Sequence, residues 1–308
     1  MYICKKKKLH TQTVRIGTRG SKLALWQAHF TQEKLQEFDI PTELKIIKTK
    51  GDRIQHLSFD KMEGKGFFTK EIEEALLKGD IDMAVHSMKD MPTTQPDGLI
   101  LSAVSYREDP SDWLLMPKEK ATGAGPLKLP HNAVVGTSSA RRKAQMLDFR
   151  PDIQLNDIRG NVTTRLRKLQ EGQFDAILLA AAGLKRLELD LSSFFIFRFD
   201  PREMVPAPAQ GVLVFQACTD DVPTRRILKK IHNKEVAEII RIERTVLKLL
   251  DGGCQMPLGV YCQKDPMGNF HVWAAQASGW DQSVKRVNIS SSTSFELAER
   301  VVEALRAE

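Results

Sequence analysis

The sequence contains only four cysteines, Cys4, Cys218, Cys254 and Cys262, in 308 residues. They are far apart and show no metal-ligand spacing, so neither a zinc site nor a disulfide framework is expected. A reducing compartment, with the cytoplasm as default, fits such sparse use. No run of about 20 apolar residues occurs, which excludes a transmembrane helix. The start carries four lysines, Lys5 to Lys8, but no apolar stretch behind them, so it does not read as a signal peptide. Neither a P-loop nor a GxGxxG fingerprint is present, and a nucleotide is therefore not implied. Aromatic residues make up only 7%.

The composition is otherwise that of a globular protein, 42% hydrophobic and 28% charged, long enough for two or three domains. The balance is basic: 46 Lys and Arg against 39 Asp and Glu, a formal net charge of +7. A nucleic acid or a small polyanion suits such a chain. The lysine run lies apart from the first periodic segment and reads as a solvated tail.

Hydrophobic spacing organises the chain. Val14–Gly17 reads as a strand leading through Thr18-Arg-Gly-Ser into a helix with Ala24, Leu25, Ala28 and Leu35 on one face. Glu43–Lys48 is a second strand. Phe68, Ile72, Ala75 and Leu76 mark a helix stopped by Gly79, and Ile81–His86 is a third strand ending in Ser87-Met-Lys-Asp. Strand and helix alternating in this way predict βαβ units and a largely parallel sheet. After a Gly-, Pro- and Lys-rich loop at 117–132 the pattern restarts. Strands are expected at Asn132–Gly136, Ile153–Asp157 and Asp175–Ala182, with helices from Ser138 or Ser139 to Phe149 and over 162–171. Pro206-Ala-Pro-Ala-Gln-Gly reads as a linker, and Val212–Ala217 as a strand able to rejoin the first sheet. A last unit begins with a helix bearing Val236, Ile240, Leu247 and Leu250. It continues through strands at 258–263, 270–277 and 283–290 to a helix at 295–306. No internal repeat stands out.

In open α/β sheets, ligands bind beyond the carboxyl ends of strands, where helices begin. Four polar clusters fall there: Thr18-Arg19-Gly20-Ser21, His86-Ser87-Met88-Lys89-Asp90, Gly136-Thr-Ser-Ser-Ala-Arg141-Arg142, and Arg159-Gly160-Asn161. Helix N-termini and arginine forks facing one cleft would suit a ligand with several carboxylates or phosphates. Each cluster also has a plainer reading. Serines before helices are usually caps, Arg141-Arg142 could be a solvated face, Lys89-Asp90 a surface pair, and Cys254 a small buried hydrophobe.

Eight motifs, read in order, resemble the porphobilinogen deaminase family. They are Arg15-Ile-Gly-Thr-Arg-Gly-Ser-Lys-Leu-Ala, Thr49-Lys-Gly-Asp, Gly64-Lys-Gly-Phe-Phe-Thr-Lys-Glu, Ala84-Val-His-Ser-Met-Lys-Asp-Met-Pro, Gly136-Thr-Ser-Ser-Ala-Arg-Arg, Arg159-Gly-Asn-Val-Thr-Thr-Arg, Ala180-Ala-Ala-Gly-Leu-Lys-Arg and Asp251-Gly-Gly-Cys-Gln-Met-Pro. The resemblance implies two periplasmic-binding-protein-like α/β domains and a small α+β C-terminal domain. The expected divisions are 1–109 with 209–228, then 110–205, then 230–308. It implies condensation of four porphobilinogen molecules into a linear tetrapyrrole, with loss of ammonia, on a dipyrromethane cofactor held through a thioether by Cys254. Asp90 would be the catalytic carboxylate, stabilising cationic intermediates. Lys89, Asp90, Ser139, Arg141, Arg142 and Arg165 would hold the cofactor. Arg19, Ser21, Arg159 and Arg186 would hold the substrate or growing chain, with Lys65 and Phe68 on a mobile loop. A cytoplasmic monomer is implied, with no nucleic-acid, membrane or metal partner. Glu63, Ala140 and Ala209 depart from the commoner pattern, Ala209 standing where glycine is usual before Gln210-Gly211.

Two other readings share some of these features. A periplasmic-binding-type ligand-binding protein would share the α/β domains but gives Cys254 no role. A basic nucleic-acid-binding module would concentrate its cations on one helix, whereas here they sit at separate strand ends.

Overall fold

The computed structural model describes residues 13–49, 69–252 and 256–307. The lysine run at 5–8, Lys65, Phe68, Glu63 and Cys254 lie outside them. The described chain divides into two compact units, one up to Glu108 together with Val212–Ala237, the other Asp109–Gly211 together with the chain from Glu238 onward.

The first unit opens with β1 (Val14–Thr18), α1 (Lys22–Gln36), β2 (Thr42–Ile46), α2 (Lys70–Lys78), β3 (Met83–Ser87) and β4 (Leu99–Arg107). In the second unit come β5 (Asp112–Pro117), β6 (Val134–Gly136), α3 (Ala140–Phe149), β7 (Gln154–Asn156), α4 (Val162–Gln170), β8 (Ala176–Ala180), α5 (Ala181–Arg186) and β9 (Phe194–Arg198). The chain then returns to the first unit with β10 (Val212–Cys218) and α6 (Val222–Lys230). Beyond these lie α7 (Lys234–Leu249), β11 (Leu258–Lys264), β12 (Phe270–Gln276), β13 (Lys285–Ser291) and α8 (Leu297–Arg306).

The first sheet has the order β2-β1-β3-β10-β4, and the second β7-β6-β8-β5-β9. In each, the first three strands are parallel and the fourth runs against both its neighbours. The sheets are therefore mixed rather than largely parallel. The fourth strand of each is the segment that has just crossed from the other unit, β5 after β4 and β10 after β9. Val212–Ala217 does rejoin the first sheet, between β3 and β4. The shared strand order is a repeat of structure that the residues themselves do not display.

Covering both faces of a sheet demands strands apolar on both sides. Leu114, Met116 and Leu178 pack into one core of the second unit, while Trp113, Leu115, Ile177 and Leu179 pack into another. In the first unit Met83 and Val85 face α1, Leu213 and Phe215, whereas Ala84 faces Ile72, Leu76 and Cys218. Helices α1, α3 and α4 start where side chains cap them. Ser21 Oγ accepts from Ala24 N, Ser139 Oγ from Arg142 N and Asn161 Oδ1 from Thr164 N. Gly79, at φ +74°, ends α2 in the left-handed conformation that glycine adopts without a Cβ penalty.

The small sheet β11-β12-β13 is antiparallel and buries Val260, Cys262, Val272 and Ala274 against α7 and α8. The buried stripe of α7 centres on Ile242 and Val246, with Leu247 and Leu250 at its margin and Val236 outside this cluster. The Pro206–Gly211 linker is mostly buried rather than solvent-borne. Its Ala209 is fully buried at φ +61°, and its N–H donates to Glu243 of α7 at 2.6 Å.

Candidate active site

Two groups of the expected residues take shape, one in each unit. In the first, β1 delivers Arg19 and the α1 cap Ser21, both half-buried, just past its carboxyl end. β3 delivers the other pair. A single 3-10 turn, Met88–Asp90, follows directly and leaves Lys89 half-buried and Asp90 exposed. Ser87, just before the turn, accepts a hydrogen bond from Gln27 Nε2 at 2.9 Å.

Behind this turn lies a buried polar network. His86 Nε2 is 3.2 Å from Gln216 Oε1 of β10, and Gln216 Nε2 donates to Gln95 Oε1 at 2.9 Å and to Glu73 Oε1 at 3.4 Å. Burial pushes His86 down to about 4. The Gln216 hydrogen bond opposes that shift, and the nearby Arg19 cation adds to it. The imidazole is neutral at physiological pH.

In the second unit the same strand ends carry cations. Ser139 caps α3, and Arg141 and Arg142 on its first turn are buried, with relative exposures of 4% and 6%. They are no solvated face. Both converge on Asp112 at the start of β5. Arg141 Nη1 donates to Oδ2 at 2.7 Å, while Arg142 Nε and Nη2 donate to Oδ1 at 3.1 and 2.7 Å. Arg141 also reaches Val205 O at 2.9 Å, and Arg142 reaches Leu178 O at 3.0 Å. Gln210 Nε2 adds a further donor to Asp112 Oδ1 at 2.9 Å. Burial alone would raise the Asp112 carboxyl, but the two guanidiniums overcome it and hold it well below the usual carboxylate range.

One buried carboxylate thus balances two arginines, and more cations crowd in. Arg165 Nε donates to Gly160 O at 2.8 Å. Gly160 sits at φ +110°, and an added Cβ would come within 2.5 Å of Thr164 Cγ2, so only glycine fits. Burial, and then repulsion from Arg142 and Arg159, depress Arg165 to about 10. Arg186 is buried on α5 and donates to Gly211 O at 2.6 Å. Arg142 and Arg159 disfavour the charged form of Arg165, and a bound anion would offset that repulsion.

The chain matches the family model described as porphobilinogen deaminase, dipyromethane cofactor binding domain, over residues 14–226. The model of the porphobilinogen deaminase C-terminal domain matches over 237–307. The chain belongs to the porphobilinogen deaminase family. It is 47% identical to the porphobilinogen deaminase of Nitratiruptor sp. over 245 residues, covering 80% of this chain and 77% of that one. Against the enzyme of Sulfurimonas denitrificans the identity is 48% over 247 residues, with the same coverages. A relative from Chloroherpeton thalassium is 40% identical over 291 residues, 93% of this chain and 90% of its own.

The sequence pattern does not point to Asp112, because β5 is not followed by a helix and carries no motif. The available signal was a lone carboxylate heading the apolar run Trp113-Leu-Leu-Met. The pattern likewise does not point to Gln216, a polar residue inside the fully buried strand Val212–Cys218. Among the described residues no helix is long and apolar enough to cross a membrane.

Proposed function

We propose that this chain is a transferase that condenses four porphobilinogen molecules head to tail into hydroxymethylbilane, releasing ammonia. The observation that carries this reading is the match of the porphobilinogen deaminase models over residues 14–226 and 237–307, and the cluster of Arg142, Arg159 and Arg165 fits it: burial, and then repulsion from the other two, depresses Arg165 to about 10. A polycarboxylate relieves that repulsion, and each pyrrole of the growing chain brings an acetate and a propionate. The dipyrromethane cofactor fits the same donor set, since its carboxylates match guanidiniums and helix N-termini. When bound through Cys254, it supplies a tethered pyrrole with a free α-carbon to be extended.

The protein's own groups divide the remaining work. Lys89, Ser139 and Arg165 hold cofactor carboxylates. Arg141 and Arg142, with donors committed to Asp112, supply positive field at the same place. Arg19, Ser21, Arg159 and Arg186 receive the carboxylates of the incoming substrate. Asp90 accepts pyrrole N–H groups and stabilises positive charge developing on the substrate ring as ammonia leaves, a gain in the transition state rather than the ground state. The family's three-domain division, a cytoplasmic location, a monomeric state and the absence of a nucleic-acid partner belong to the same reading.

The test is direct. Purified protein given porphobilinogen should release ammonia and form a tetrapyrrole that oxidises to a porphyrin. Its intact mass should exceed the chain mass by two linked pyrrole units, lost in Cys254→Ala. Absence of ammonia release from protein carrying the adduct would refute the activity. An unmodified mass in active protein would refute the cofactor.

A further inference from the structure

We propose that Gln216 is a positioning residue for the Asp90 turn, tying together the segments that precede and follow it. This inference rests on the reading of Asp90 as the catalytic carboxylate.

Gln216 is fully buried in β10, the strand that returns to the first unit and pairs with β3. Its backbone stands opposite Ala84, and its side chain reaches along the strand to His86, four residues before Asp90. Because Gln216 Nε2 is spent as a donor to Gln95 and Glu73, its Oε1 is the acceptor. The neutral His86 must then carry its proton on Nε2 and donate it. On the other flank Gln95, five residues after Asp90, accepts from Gln216 while its own Nε2 donates to Pro92 O at 3.0 Å. One buried amide therefore fixes the strand entering the turn and the loop leaving it, and Glu73 anchors that amide to α2.

A buried amide with donors and acceptor all engaged costs most when its polar groups are removed, since His86, Gln95 and Glu73 then each lose a partner in a low-dielectric setting. The turn itself is only three residues long, and its own capping bond is Met91 N to Met88 O at 3.1 Å. The Gln216 network adds to that bond, and to the Gln27 contact with Ser87, in holding the segments that carry the turn. A leucine at 216 would be of similar size but would offer His86, Gln95 and Glu73 no polar partner.

The experiment compares Gln216→Leu, Gln95→Leu, Asp90→Ala and the double variant Gln216→Leu/Asp90→Ala as cofactor-loaded proteins, checked by intact mass and circular dichroism. Gln216→Leu should lower kcat about tenfold with KM within twofold, because it loosens a group that acts in the transition state. Gln95→Leu, which removes only the loop-side partner, should lower kcat in the same direction and serves if Gln216→Leu does not fold. The double variant should be no slower than Asp90→Ala alone. If Asp90→Ala loses turnover while folded Gln216→Leu or Gln95→Leu keeps normal kcat, the positioning role is wrong. The same holds if the double variant loses a further tenfold. If Asp90→Ala itself turns over normally, the catalytic assignment fails instead.

Discussion

Asp112→Asn is the substitution whose cost the structure fixes most closely. Asp112 is fully buried and is the only carboxylate in hydrogen-bond contact with Arg141 and Arg142 among the described residues. Asparagine keeps the shape and can keep the acceptor facing Arg142 and Gln210. Its amide nitrogen then faces Arg141 Nη1 across the spacing that now measures 2.7 Å, donor against donor. Two guanidiniums remain buried with no negative charge. They cannot swing out cheaply, because Val205 O and Leu178 O hold them. Removing one partner of a buried ion pair costs about 3–5 kcal/mol, a large share of the roughly 5–15 kcal/mol available to a domain. Urea unfolding followed by circular dichroism at pH 7 should show this as a lowered midpoint at unchanged slope. The pH dependence carries a sign of its own. The folded-state pKa is depressed, so the contribution is present above the ordinary carboxylate value near 4 and is lost as pH falls below it. Wild type and variant should therefore converge in acid. A loss under about 1 kcal/mol at pH 7 would show that the arginines find another counter-ion, and the reasoning would fail.

Asp90→Ala should cut turnover by about 100-fold or more while keeping fold and cofactor, measured as ammonia release from mass-verified protein. Arg159→Leu should keep cofactor but stall with partly extended chains, seen as discrete added masses, with affinity down about ten- to a hundred-fold. Arg142→Leu should give mostly apo-protein, and identical behaviour of the two variants would overturn the division between substrate and cofactor roles. His86 has a folded value of about 4 against an ordinary value near 6.5, so its contribution is whole above pH 6.5 and declines as pH falls toward 4. Unfolding at pH 4.5 should show about 2–3 kcal/mol less acid loss in a folded His86→Gln variant than in wild type.

The strands bearing the site were legible because their ends carry motifs as well as apolar runs. Val14–Thr18, Met83–Ser87 and Val134–Gly136 each lead into a capped helix or turn, and period and cap agree there. β4, β5 and β9 were missed, and each is a strand followed by a crossing or a long loop rather than by a helix. The apolar run after Asp112 marks Asp112–Pro117 as buried, but only its partners β8 and β9 show that it is an antiparallel insertion. The burial of Arg141 and Arg142 was unreadable for the same reason, since their counter-ion stands about thirty residues earlier on that strand. A buried charge is recognised by its partner, and the partner here is set by tertiary structure alone.

The absence of a readable repeat has a physical cause as well. Both sheets use one local device at equivalent places. Arg15 N donates to Asp82 Oδ2 and Asp82 N to Arg15 O, each at 2.9 Å. In the second unit Val134 N donates to Asp175 Oδ2 and Asp175 N to Val134 O, each at 2.8 Å. The aspartate locks the start of β3 to β1 in one unit and the start of β8 to β6 in the other. Backbone atoms make the donors on the other strand, so the residue there is free to vary: arginine in one unit, valine in the other. The aspartate's remaining partner varies too, Arg15 itself in the first unit and Lys120 in the second. After the locks, Gly17-Thr18 and Gly136-Thr137 end or follow the first strands, and the residues beyond them diverge toward different tasks. Backbone-to-carboxylate bonding preserves the geometry of a sheet while constraining one residue in each pair. The structural repeat is therefore carried by strand order, by two aspartates and by a Gly-Thr pair, too little for sequence periodicity to register.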